Sequence, residues 1–220
     1  MRTEPLTLVV DGTRPPTATT VAALASLCDE AEDRGGGIVC VQVSGAPGDD
    51  WADGLDVMLV SKWERALRRL ERLPAATVAV ARGDCGGTAL DAFLAADIRV
   101  ATPGMRLRLP HDGEATWPGM AGYRLVRFAG AARIRKAVLF GLSLEAPELV
   151  SLGIVDELVV DPASAVAATA GLVSGLSGKE IAIRRQLLFD AATTSFEDAL
   201  GTHLAACDRQ LRTIAAKEAS

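Results

Sequence analysis

Between Ala79 and Val100 the chain runs from small apolar residues through three glycines inside five positions, then through Ala89–Ala96 to Asp97 and a further apolar run, Ile98-Arg99-Val100. Thr77-Val78-Ala79-Val80-Ala81 has the β-branched and small composition of a strand buried on both faces. Gly83, Gly86 and Gly87 let the backbone turn with positive φ and bring bare N–H groups up to whatever lies above them. A helix that opens there has first N–H groups with no internal partner, which favours negative charge. The stretch is predicted to be a strand, a tight glycine turn, a short helix and a second strand, with an oxyanion or phosphate site at the turn.

The pattern before this stretch is β-α-β-α. Leu6–Val10 is a first strand, and Thr19 or Thr20 caps a helix to about Arg34 with Val21, Leu24, Leu27, Cys28 and Ala31 inward. Ile38–Val43 is a second strand, and Asp56 caps a helix over Val57–Leu73 whose inward stripe is Val57, Leu59, Val60, Trp63, Leu67 and Leu70. Right-handed crossovers between such strands give a parallel sheet and an α/β fold. After it, Met105, Leu107 and Leu109 alternate with Arg106 and Arg108 as a half-buried strand ending at the polar loop Pro110-His111-Asp112. Short helices follow over Tyr123–Ala129, Ala131–Phe140 and from a Ser143 start to Leu152, then an extended piece over Ile154–Val160. From Pro162 onward the pattern is helical, which divides the chain into a core at 1–161 and a C-terminal helical region at 162–220.

With 220 residues, 49% of them hydrophobic and 23% charged, the chain is long and apolar enough for one sizeable core. A net charge of -5 and 4% aromatics speak against a nucleic-acid groove. Arg65, Arg68, Arg69 and Arg72 alternate with Glu64 and Glu71 at helical spacing and read as a solvated face. The start of the chain has neither the pattern of a signal peptide nor that of a membrane span, so the expectation is a cytoplasmic protein with no membrane partner. Cys28, Cys40, Cys85 and Cys207 lack metal-ligand spacing, so no metal is implied. Cys28, Cys40 and Cys207 read as buried small hydrophobes, and Cys85, inside the glycine turn, is either that or a reactive thiol. Asp84 is assigned to capping the turn, Asp97 to satisfying backbone donors, Tyr123 to packing at a helix start and His203 to the surface or a subunit contact.

In order along the chain, Arg82-Gly83 with the glycine turn, Ala95-Ala96-Asp97-Ile98-Arg99-Val100-Ala101, Pro118-Gly119, Gly141-Leu142-Ser143-Leu144-Glu145-Ala146 and Leu152-Gly153-Ile154-Val155-Asp156-Glu157-Leu158-Val159 resemble the crotonase (enoyl-CoA hydratase/isomerase) superfamily. The resemblance implies a crotonase-like spiral of β-β-α turns with a C-terminal helical subdomain, here a trimerisation region, and a homotrimer or hexamer. It implies an acyl-CoA thioester substrate, with coenzyme A as part of the substrate and no other cofactor. The thioester oxygen would lie between two backbone N–H groups, one at Leu55 after Gly54, the other at Thr88 with Gly87 as the adjacent alternative. Where the family's hydratases have two glutamates, this chain has Asp91 and His111.

Asp91 is then either a proton-transfer carboxyl or a helix-start aspartate stabilised by the dipole. His111 is either a proton-transfer group or an exposed loop histidine. Trp51 and Trp117 flank the two site loops and either line the acyl pocket, with Gly54, Gly86 and Gly87, or pack locally. Within the superfamily the short chain is similar to the small crotonase-like proteins of 3,5-dihydroxyphenylglycine biosynthesis, an antibiotic pathway. That similarity implies a hydratase or dehydratase assisting a type III polyketide synthase, or a catalytically degenerate partner of that synthase.

Overall fold

The computed structural model describes residues 4–218. Strands β1 (Leu6–Asp11), β2 (Ile38–Gly45), β3 (Ala76–Gly86) and β4 (Ile98–Ala101) lie side by side and parallel. They alternate with helices α1 (Ala18–Arg34), α2 (Val57–Leu70) and α3 (Gly87–Leu94). Val39, Val41 and Val43 of β2 face one layer with Leu24 and Leu27 of α1 and Trp63 and Leu67 of α2. Ile38 and Cys40, the alternate residues, face the other. A strand buried on both sides has no polar face, which is why these runs are continuously apolar.

β3 is the longest strand and does not stop at Ala81. It continues through Arg82–Gly86, paired at Cys85 with Gly45 of β2 and along Asp84–Gly86 with the parallel strand β5 (Arg106–Arg108). The expected tight turn is therefore strand, and Asp84 caps nothing: its carboxylate pairs with Arg106 at 2.7 Å across that ladder. Of the three glycines, Gly83 and Gly87 have positive φ, whereas Gly86 is extended at φ -148.

β5 is followed by α4 (Met120–Ala129), α5 (Ala131–Phe140), β6 (Leu144–Glu145), α6 (Ala146–Ser151) and β7 (Glu157–Leu158). β6 pairs antiparallel with β5, and β7 pairs parallel with β4. Then come α7 (Pro162–Val173), α8 (Gly178–Ala191) and α9 (Phe196–Glu218). Ala165, Val166 and Ala170 of α7 cover the second face of the sheet, so the helical region opens with a layer of the sheet itself. α9 has no buried residue.

Several local expectations need correction. Thr17, not Thr19 or Thr20, caps α1, its hydroxyl accepting from the Thr20 N–H, because the chain is still extended at Thr17. Ser143 does not cap α6, whose cap position is Glu145. Val57 is 78% exposed at the first turn of α2, whose buried residues are Trp63, Ala66, Leu67 and Leu70. Glu64 and Glu71 are not on a solvated face, since both pair with the buried Arg124 of α4. Cys207 is exposed rather than buried, since it lines an open groove between α8 and α9, and Tyr123 is 53% exposed with Arg127 over its ring.

Asp97 does what its sequence position implied. Its carboxylate accepts from the Thr77 N–H at 2.9 Å and also holds the guanidinium of Arg185 from α8. That guanidinium is 7% exposed and donates to the carbonyls of Leu73 and Ala75 at 2.7 Å each, which fixes α8 across the start of β3.

Candidate active site

The carboxyl ends of β1, β2 and β3 converge on the N-terminus of α3, the place where open α/β sheets commonly leave a crevice. The approach is close enough to demand glycine. A Cβ on Gly12, just after β1, would lie 2.3 Å from the Gly86 carbonyl oxygen and 2.5 Å from that of Gly45. Gly87, the first residue of α3, has φ +50, and a Cβ there would lie 2.7 Å from both Cε2 and Nε1 of Trp51. The Nε1–Cε2 edge of the Trp51 indole thus packs against the opening of the helix.

Trp51 is 4% exposed and meets Trp117 edge-on, with ring centroids 5.9 Å apart. Its Nε1–H is buried and has no hydrogen-bond partner. A cavity of about 70 Å³ opens beside the pair, walled by Trp51, Ala52, Pro110, His111 and Trp117. His111 is half-buried, and its Nδ1 accepts from the Gly113 N–H at 2.9 Å. Nε2 is then the nitrogen that carries the proton of the neutral ring.

Thr88 is 1% exposed and follows Gly87, so its N–H is among those with no partner inside α3. Its hydroxyl donates to the Arg14 carbonyl at 2.7 Å. The Leu55 N–H is engaged: it donates to the Ala52 carbonyl at 3.1 Å within the loop that precedes α2. Gly54 beside it is exposed, with φ +76.

Asp91 lies one helical turn beyond Gly87 and is 9% exposed. Its Oδ2 accepts from Nε1 of Trp63 on α2 at 3.2 Å. Burial, and next the charge of Glu64, push its carboxyl from 3.8 up to about 7, against the pull of Arg124 and the Trp63 bond. Arg124 in turn donates to Glu71 at 2.8 Å and Glu64 at 2.9 Å, leaving its buried Nη1 without a hydrogen-bond partner. This α2–α3–α4 cluster gives a carboxyl that takes up or releases a proton near neutrality. Cys85 is fully sealed, and burial, with Asp91 and Asp84 adding to it, pushes its thiol up, so it stays protonated.

The sequence candidates thus fall into two groups. Trp51, Trp117 and His111 share the cavity wall, and Gly87 and Thr88 open the helix against which Trp51 lies. Asp91 belongs to the Trp63, Glu64 and Arg124 cluster. Sequence reasoning did not single out Trp63, Glu64 or Arg124 as chemical. The available signal was a Trp on an inward helix face, whose buried N–H requires an acceptor. Among the described residues no group of three His, Cys, Asp or Glu side chains is placed to hold a metal ion, and no helix is long and apolar enough to cross a membrane.

A family model described as enoyl-CoA hydratase/isomerase matches residues 52–220. A protein of Amycolatopsis orientalis named "Enoyl-CoA-hydratase" is 55% identical over 208 residues, which is 94% of this chain and 96% of that one. Among solved structures, an enoyl-CoA hydratase from Thermoplasma volcanium superposes with a TM-score of 0.79 at 17% identity, over 94% of this chain and 89% of that one. An enoyl-CoA hydratase/isomerase from Marinobacter aquaeolei superposes with a TM-score of 0.78 at 17% identity, over 96% and 89% of the two chains.

Proposed function

The chain belongs to the enoyl-CoA hydratase/isomerase family, and from that membership we propose that it is a hydratase or dehydratase acting on an acyl-CoA thioester at the N-terminus of α3. Asp91 carries the reading. It is a carboxyl in the first turns of the helix that opens at Gly87, with its proton affinity raised to about 7. Adding or removing water across a double bond conjugated to a thioester requires a group that passes a proton near neutral pH and donors that meet charge on the thioester oxygen. Asp91 and His111 are assigned the proton transfers, and the Thr88 N–H is one donor. Trp51 and Trp117 wall the acyl side, and the 55% identical relative supports hydratase chemistry.

The proposed setting is the cytoplasm, with a homotrimer or hexamer joined through the helical region and a polyketide-CoA of dihydroxyphenylglycine biosynthesis as substrate, supplied by a type III polyketide synthase. Turnover of crotonyl-CoA and of a polyketide-CoA by the wild type, Asp91→Asn and His111→Ala tests the assignment. Losses of about 100-fold in each variant are expected for a proton-transfer group, and unchanged turnover in both removes the roles. A second reading, a degenerate partner that binds the synthase or its product, is favoured by the engaged Leu55 N–H and by the small cavity of about 70 Å³. Turnover at rates typical of enzymes excludes it.

A further inference from the structure

We propose that the second donor to the thioester oxygen is the indole Nε1–H of Trp51, acting with the Thr88 backbone N–H in place of the Leu55 N–H; the inference rests on the thioester reading above. Three observations converge on it. The Leu55 N–H is already bound to the Ala52 carbonyl, and freeing it means opening that turn. The Trp51 Nε1–H is a buried donor without a hydrogen-bond partner on a residue 4% exposed, a costly condition that a bound acceptor would relieve. That same atom would lie 2.7 Å from a Cβ on Gly87, which sets it beside the first N–H groups of α3, where developing negative charge is favoured.

The chemistry suits the task. An indole N–H donates and never accepts, so it stabilises an oxyanion without competing for a proton. Trp117, edge-on to the ring, and Gly87, packed against its Nε1–Cε2 edge, hem the indole in, and a donor that needs no reorganisation during the reaction is the kind that lowers a barrier. The cavity bounded by Trp51, His111 and Trp117 opens beside the same ring.

The probe is acetoacetyl-CoA, whose C2 proton passes to bulk water as its ultraviolet-absorbing enolate forms. Its binding and enolate band are measured with the wild type and with Trp51→Phe, together with crotonyl-CoA kinetics and thermal midpoints. The expected result is a strong enolate band with the wild type, a weak one with Trp51→Phe, and kcat lowered about 100-fold with KM changed less than about threefold, as for one lost oxyanion donor. In 15N-labelled wild type, the indole N–H with cross-peaks to the Gly87 Hα protons should move downfield when acetoacetyl-CoA binds. This second measurement decides the matter if Trp51→Phe does not fold. A folded Trp51→Phe that binds the probe with an undiminished enolate band and turns over at the wild-type rate overturns the donor role and leaves the thioester site standing. An unmoved indole resonance on binding overturns it as well. A wild type that binds neither thioester removes both the donor and the function it rests on.

Discussion

Asp91 holds a proton at pH values where most aspartates have lost theirs. The physical reason is water exclusion between α2, α3 and α4, with Glu64 nearby adding a like charge. The consequence for stability has a definite sign. Below 3.8 both folded and unfolded carboxyls are protonated, and the fold has its full stability. As pH rises from there through about 7, the unfolded carboxyl ionises first and stability is lost. The loss is of order 4 kcal/mol at most, from about three pK units at 1.36 kcal/mol each, and relaxation reduces it. Asp91→Asn should therefore raise the thermal midpoint at pH 8 and change it little at pH 4, as calorimetry at the two pH values will read. Trp63→Phe removes a bond that favours the ionised form, so carboxyl 13C titration should place Asp91 higher in that variant than in the wild type. Asp91 and His111 could be picked out in the sequence because the resemblance sets them where the family's hydratases have glutamates. Their surroundings were not, because Glu64 and Glu71 read as a solvent stripe until α4 brings Arg124 against them.

At the level of elements, α3 is fixed by what its first residue lacks. Gly87→Ala would strain a φ of +50 and drive a methyl into the Trp51 indole. A loss of about 1–3 kcal/mol and a changed tryptophan fluorescence are expected, read by urea unfolding. Arg185 plays the corresponding part for α8. Replacing it with Met leaves the Asp97 carboxylate and the Leu73 and Ala75 carbonyls without their donor, and a loss of about 3–5 kcal/mol is expected in the same assay. The helices and the first strands were legible because apolar periodicity is a local signal. The true length of β3 was not: Arg82–Gly86 is strand only because β2 and β5 pair with it, and a glycine-rich segment carries no trace of partners that distant in sequence. α1 begins at an earlier threonine, Thr17, of the same capping type as those expected, and α6 begins at Glu145 with no side-chain cap bond.

For the whole molecule, the ordered motifs from Arg82 to Val159 carried the fold, and the parallel sheet with helices on both faces agrees with it. What the isolated chain leaves open is a surface. Phe196, Leu200, Leu204, Leu211 and Ile214 of α9 are all exposed and recur at helical spacing along one side. A stripe of that length on a helix with no buried residue is suited to a subunit contact. Sedimentation velocity should show a trimer or hexamer for the wild type and a smaller species for Leu204→Asp combined with Leu211→Asp. The central claim, that a thioester is polarised at the N-terminus of α3, is tested most directly by 13C NMR of crotonyl-CoA labelled at the thioester carbonyl. Donors at Thr88 and Trp51 should move the bound carbonyl resonance downfield of the free one. A bound thioester whose carbonyl resonance stays at its free position would contradict the account.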